Sequence, residues 1–275
     1  MTAGLAGAMA EARRDGDAAP PAGPVLAGRA GHYREWTPSA ALRPHFGCAW
    51  SHAVPQGPPL PIAVVPDGCV DLLWQDGRLA VAGPDVTAAR PTLRPGSILL
   101  GLRFRPGAAA PWLGPPMSEI VGRSVDLADL WGPRAHALST RLQDVPAPAA
   151  QAALLDALLA TLAPAVEAPD GEAAAIFAAL RRHAPGPKLA GLADRLDCSE
   201  RTLRRRSREH FGYGPKTLDR ILRFQGFLAL ARRVPASGLA GLAADAGYAD
   251  QAHLAREVRA LCGMTAAALL AQLGA

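Results

Sequence analysis

The chain has 275 residues, 49% of them hydrophobic and 19% charged, with a formal net charge of +5. That length allows two domains that each bury a core, and no run of 18 apolar residues is present to suggest a membrane span. The four cysteines, Cys48, Cys69, Cys198 and Cys262, show no Cys-x-x-Cys spacing, which argues against a disulfide scaffold and fits small buried hydrophobes in a reducing compartment.

Residues 1–30 are Ala, Gly and Pro with mixed charges and no periodicity. They predict a disordered leader or a start codon set too far upstream. Met1–Ala12 is apolar, but its arginines follow it, the wrong order for a secretory signal. A cytoplasmic protein is expected. The abundance of Ala, Gly, Pro and Arg reads as the coding bias of a GC-rich bacterial genome.

From Tyr33 to Leu113 short apolar runs are cut by Pro and Gly: Phe46–Trp50, Ile62–Val65, Val70–Trp74, Leu79–Ala82 and Ile98–Phe104. Short strands at this spacing predict an antiparallel β barrel or sandwich, and Asp76-Gly77 is the strongest hairpin signal. Helical patterns follow at Ala135–Leu142, Ala149–Leu162 and Glu172–His183, separated by Pro146, Pro148, Pro164 and Pro169. The stripe Leu154, Leu155, Leu158, Leu159 and Leu162 suits either packing on the sheet or a dimer interface. Ala184–Pro187 reads as a linker. The expected organisation is a leader over 1–30, a β-rich sensor or dimerisation domain with a helical end over 31–183, and an all-α domain over 188–275. The fold class is α+β.

Leu-Ala-Gly-Leu-Ala stands at 189–193 and again at 239–243. Each copy continues as a short helix, a polar turn and a second helix, so the chain carries two helix-turn-helix units. Residues 185–275 hold 14 Lys+Arg against 8 Asp+Glu, while 1–184 hold 15 against 16. The positive excess sits with the repeat, as a phosphate-bearing partner requires. In the second helix of copy one, capped by Ser199, Leu203, Ser207 and His210 turn inward, leaving Arg201, Arg204, Arg205 and Arg208 on the opposite face. Four clustered arginines suit a polyanion, and arginine reads guanine through O6 and N7. In copy two, Asp250 is the expected cap and Leu254, Val258 and Leu261 the buried stripe. Gln251, Ala252, His253 and Arg256 are then left for DNA, with His253 equally suited to a plain surface role. Pro215–Arg233 reads as one connecting helix on which Lys216, Arg220 and Arg223 either touch phosphates or face solvent.

Residues 188–272 resemble the AraC/XylS family of transcription regulators. The resemblance is carried by Leu203-x-Arg205, Gly212-Tyr-Gly-Pro215, Lys216-Thr-Leu218, Leu222-Arg-Phe-Gln225, Ala246-Gly-Tyr248, Leu254-x-Arg256 and Gly263-Met-Thr265. It implies seven helices and base contacts at Arg201, Arg204, Arg205, Gln251, Ala252 and Arg256. Ser207 and Val258 stand where the family usually has Phe, Gly214 replaces a Ser and Ala266 a Pro. Arg34-Glu35-x-x-Pro38, Pro66–Leu72 and Arg103–Gly107 resemble the uncharacterised domain that precedes this module in one subgroup. The partners expected are double-stranded DNA, a small-molecule effector, RNA polymerase and a second copy of the chain.

In the N-terminal part, Asp67, Cys69, Asp71, Arg103 and Arg105 alternate with apolar residues. They suit a pocket for an anionic ligand or, more plainly, an Asp71–Arg103 ion pair with nothing bound. A metal site would need His45, Cys48, His52 and Cys69 to converge without a second closely spaced pair. No nucleophile elbow, phosphate loop or His-Glu-x-x-His is present, so no enzyme and no cofactor are expected. The alternative is a cysteine-based metal or alkylation sensor, or a repair methyl-acceptor, with Cys69 as its thiol.

Overall fold

The computed structural model describes residues 23–181, 189–233 and 238–274. Its N-terminal part contains β1 (Val25–Leu26), β2 (His32–Trp36), β3 (Phe46–Ala53), β4 (Ile62–Ala63), β5 (Asp71–Gln75), β6 (Arg78–Ala82), β7 (Ile98–Phe104) and β8 (Ser124–Asp126). Six of these form one antiparallel sheet in the order β2-β3-β7-β5-β6-β8, and β1 pairs with β4 in parallel. The tight turn between β5 and β6 has both Asp76 (φ 48°) and Gly77 (φ 80°) in left-handed conformations. That is the twist-matched turn an Asp-Gly pair favours.

Alternation along the strands gives the sheet two different faces. On one, Leu72, Trp74, Leu79, Val81, Leu100, Leu102 and Phe104 are buried. The helices α1 (Ala109–Leu113), α2 (Leu127–Trp131), α3 (Pro133–Gln143) and α4 (Pro148–Leu162) cover this face and share its core. The other face holds a smaller cluster of Trp50, Ile62, Leu93 and Leu99. Gly101 lies directly beneath the Trp50 indole, where any Cβ would overlap the ring.

Leu155, Leu158 and Leu159 of α4 are buried, and Leu154 and Leu162 pack against the same core. The leucine stripe therefore serves the sheet. Among the described residues, Pro148–Ala165 is one stretch long and apolar enough by composition to cross a bilayer, although no unbroken run of 18 apolar residues exists. Three of its leucines, Leu155, Leu158 and Leu159, are buried against the sheet-covering core.

The expected leader is corrected at its end. Val25 and Leu26 form a strand, and Leu26 and Ala30 are buried; residues 1–22 lie outside the described residues.

The C-terminal part consists of α5 (Gly171–Arg181), α6 (Leu189–Arg195), α7 (Glu200–Phe211), α8 (Pro215–Arg233), α9 (Leu239–Asp245), α10 (Gln251–Cys262) and α11 (Ala266–Leu273). The expected linker Ala184–Pro187, His183 and Lys188 fall outside the described residues. The repeat in sequence is also a repeat in geometry. Cys198 N–H donates to Ala193 C=O at 3.1 Å, and 50 residues later Tyr248 N–H donates to Ala243 C=O at 2.9 Å. The turn residues Asp197 (φ 47°) and Gly247 (φ 77°) are left-handed at equivalent places. One core joins Leu203, Leu218, Phe224, Phe227, Leu254 and Leu269 to Phe177 of α5 and to Leu26 and Ala63 of the N-terminal part.

Gly101→Ala should force the Trp50 ring out of its seat. Overpacking of this kind costs about 1–3 kcal/mol, to be read as a lower urea midpoint with an unchanged slope.

Candidate nucleic-acid interface

The helix α7 is placed by its two ends and its buried face. Ser199 caps it, accepting from Thr202 N–H, and left-handed Gly212 closes it, donating to Arg208 C=O. Leu203, Ser207, His210 and Phe211 are buried. Ser207 fits the position usually held by Phe because its Oγ donates to Tyr213 C=O at 2.7 Å. Aromatic volume comes instead from Phe211, 5.9 Å from Phe177. Two further contacts tie α7 to α5: His210 Nε2 lies 2.9 Å from Asp170 Oδ2, and Arg206 pairs with Glu172. Burial works against the Asp170 charge, but N–H groups of Ala173 and Glu172, with His210 and Arg206, hold its carboxyl below the usual range.

The face left over is basic and open. Arg201, Arg204, Arg205 and Arg208 are all exposed. Arg204 pairs with Glu200 at 2.7 Å and Arg205 with Glu209 at 3.3 Å, each across one helical turn. Among the described residues Arg201 and Arg208 have no ion pair. Exposed i,i+4 pairs are worth only about 0.3–0.5 kcal/mol, so a phosphate or guanine edge can displace them cheaply.

The helix α10 repeats this plan with fewer charges. Asp250 caps it, accepting from His253 N–H at 2.6 Å, and Leu254, Val258, Leu261 and Cys262 are buried. Gln251, Ala252, Arg256 and Arg259 are exposed. His253 is half-buried; its Nδ1 accepts from Ala249 N–H at 3.3 Å and its ring sits edge-on to Tyr248. Those contacts give it a local role in the turn.

Between them runs α8, whose 19 residues span about 28 Å. Arg220 Nε meets Glu257 of α10 at 2.5 Å, and Arg223 pairs with Asp219 while lying over the Tyr248 ring. Both arginines thus brace the second unit, and Lys216 remains exposed.

Residues 192–272 match the family model described as a helix-turn-helix domain. They form an AraC-type helix-turn-helix domain. The chain is a DNA-binding transcription regulator. Residues 34–126 match a second model, described as a domain of unknown function (DUF6597). No curated protein matches the sequence. Among solved structures the chain is similar to ToxT from Vibrio cholerae, at 10% identity over 82% of this chain and 98% of that one, with a TM-score of 0.46. ToxT from Vibrio cholerae O395 is 9% identical over 81% and 96%, with a TM-score of 0.44. The same protein bound to (E)-4-(8-methylnaphthalen-1-yl)but-3-enoic acid is 10% identical over 81% and 97%, with a TM-score of 0.42.

In the regulator's N-terminal part, four of the five candidate pocket residues come together and one does not. Arg103 lies between Asp71 (3.2 Å) and Asp67 (3.4 Å), and Trp50 Nε1 donates to Asp71 Oδ1 at 2.9 Å. Cys69 N–H donates to Asp67 Oδ1 at 2.9 Å. Arg105 lies apart and exposed, donating to Arg43 C=O at 2.6 Å. Burial opposes the Arg103 charge, yet the Asp71 and Asp67 carboxylates prevail and raise its pKa. Burial pushes the Asp71 carboxyl up, against the pull of Arg103. Three of the four are therefore already paired with one another. An open cleft of about 490 Å³ lies elsewhere, lined by Trp74, Asp76, Arg94, Ser97, Gln143 and Gln151 among others.

Burial, and then Asp67, pushes the Cys69 thiol well above its ordinary range, the opposite of what a methyl-accepting thiolate needs. His45 packs edge-on to Trp112 in the helix-covered core, while His52 reaches Ala30 C=O on the other face of the sheet. Among the described residues no three His, Cys, Asp or Glu side chains are placed to hold a metal ion.

Sequence reasoning missed Asp85 and Tyr213. Burial, with Asp67 and Asp71 nearby, lifts the Asp85 pKa from 3.8 to about 6. A raised carboxyl pKa favours the protonated folded form, so its contribution is fully present below about pH 4 and lost as pH rises through about 6. Asp85→Asn should therefore be more stable than wild type at pH 7.5 by roughly 1–2 kcal/mol and equal to it near pH 4. Urea unfolding across that range tests this; parallel curves for the two proteins would refute it.

Proposed function

We propose that this regulator reads a specific DNA sequence by placing α7 and α10 in adjacent major grooves of one duplex. Support comes chiefly from α7, whose four arginines stand exposed on one face while its opposite face is committed to the core. Arg201, Arg204 and Arg205 are assigned to base edges and Arg208 to the backbone. On α10, Gln251 and Ala252 meet bases near the helix N-terminus, Arg256 holds phosphate and His253 supports the turn. Two reading helices on one side of B-DNA must stand about 34 Å apart or bend the duplex, and α8 is of the right order to bridge them.

The residues over 31–183 form a domain that modulates the reader over 188–275. It responds to a small-molecule effector or pairs with a second copy, and RNA polymerase is the partner of an activator. The shared core of Leu26, Ala63 and Phe177 with the helix-turn-helix units favours a modulating domain over an independent one. The cysteine-based alternative draws no support from the geometry around Cys69.

Binding of the whole protein to its own upstream intergenic DNA, compared with random duplex at two salt concentrations, is the test. A preference for the cognate fragment that persists at higher salt is expected. Arg204→Ala or Arg205→Ala should then cost about 1–3 kcal/mol and relax discrimination at one position. An equal loss on every sequence would reassign that arginine to phosphate, and no binding to any duplex would defeat the proposal.

A further inference from the structure

The segment that leaves β6 runs across the domain boundary and touches the C-terminal end of both recognition helices. At its start, Pro84 lies against Gly212, the left-handed residue that closes α7; a Cβ there would fall 2.9 Å from the Pro84 ring and would also overlap Val121. Val86 and Ala88 then pack on the core of the helix-turn-helix units. Ala88 N–H donates to Leu261 C=O at 2.7 Å. That carbonyl is in the last turn of α10, where no intrahelical donor remains. Arg90 Nη2 comes within 2.6 Å of where a Cβ of Gly263, the closing residue of α10, would stand. The segment is itself anchored, because Val64 and Ala89 exchange two backbone hydrogen bonds of 2.9 Å.

A single stretch of the N-terminal part therefore touches equivalent ends of two helices that are otherwise joined through the core around α8. We infer that Pro84–Arg90 is a positioning segment that sets the separation and angle of the two recognition helices. It makes the N-terminal domain part of the specificity apparatus, selecting operators by the spacing between their two half-sites. This rests on the proposed reading in which both α7 and α10 enter DNA.

The test uses the whole chain and a set of duplexes carrying both half-sites, with the spacing changed one base pair at a time. Wild type should favour one spacing by about tenfold over its neighbours, the cost of roughly one mismatched contact. Ala88→Pro removes the N–H that holds Leu261 C=O, and it should flatten that preference to within about threefold while affinity for an isolated half-site is retained. Arg90→Ala, at an exposed position, should act in the same direction to a smaller degree and keeps the test decisive if Ala88→Pro fails to fold. Thermal unfolding separates the two cases. Both variants keeping the wild-type spacing profile, while Arg204→Ala still weakens binding, would overturn the role of the segment and leave DNA reading intact. A wild type that binds its site yet is indifferent to spacing, and is unaffected by Arg256→Ala, would overturn the two-helix reading and the inference with it.

Discussion

The structure depends on one apolar contact set, the burial of α8 on nearly all its sides. Leu218, Ile221, Leu222, Phe224, Phe227, Leu228 and Ala231 are buried along it. They meet Leu203 of the first unit, Leu254 and Val258 of the second, Leu269 of α11 and Phe177 of α5 within a single core. Buried aromatic and aliphatic side chains contribute about 1.5–3 kcal/mol each, so no other element concentrates as much stabilisation. Neither short pair, α6–α7 or α9–α10, has enough apolar surface to stand alone. Each is held rigid by resting on the same central helix.

That arrangement settles which charges are available. Arg206, Arg220 and Arg223 sit at edges of the core and are consumed by Glu172, Glu257 and Asp219. Arg201, Arg204, Arg205 and Arg208 sit opposite the core and meet at most a neighbouring glutamate across one helical turn. Net charge thus understates the difference between the units. The first presents a concentrated basic face, and the second has Gln251 at its helix N-terminus, Arg256 in mid-helix and Arg259 in the last turn. On the proposed reading, attraction to phosphate and base discrimination fall mainly to α7, and register to the placement of α10.

Much of this was legible in the sequence, for physical reasons. The repeat encodes two turns with matching hydrogen bonds, the caps Ser199 and Asp250 carry the side-chain acceptors that open helices, and Asp76-Gly77 can adopt the twin left-handed conformation. What was hidden has causes too. All five residues of β2 are exposed, Tyr33 and Trp36 among them, so His32–Trp36 shows no apolar-polar alternation, and β1 has only two residues held by β4. The ion pair of Asp71 with Arg103 could be guessed from alternation, and the register places the two directly opposite each other on β5 and β7, on the same face. Arg105 could not be separated from Arg103 in that way, since it lies just past the end of β7, where the chain turns toward Arg43. Contacts between the two halves leave no periodic trace at all. Gln272 binding Pro24 and Leu26 spans about the whole chain, and neither end announces it.

The polar cluster beneath the reader follows from those long-range contacts. Gly68, left-handed at φ 80°, faces Leu218, Phe177 and the Tyr213 hydroxyl, which brings Asp67 and Cys69 to the underside of the first helix-turn-helix unit. Burial, reinforced by Asp67, Cys69 and Asp85, raises the Tyr213 pKa, and its hydroxyl is buried without a partner among the described residues. A phenol left unpaired beside carboxylates costs free energy. Arg103 neutralises Asp67 and Asp71 but is not among the groups acting on Asp85. The junction thus holds a buried hydroxyl without a partner among the described residues and a carboxyl whose pKa is raised. Since Asp85 follows Pro84 at the start of the segment that touches the ends of α7 and α10, both groups lie where a small rearrangement would be felt by the two helices.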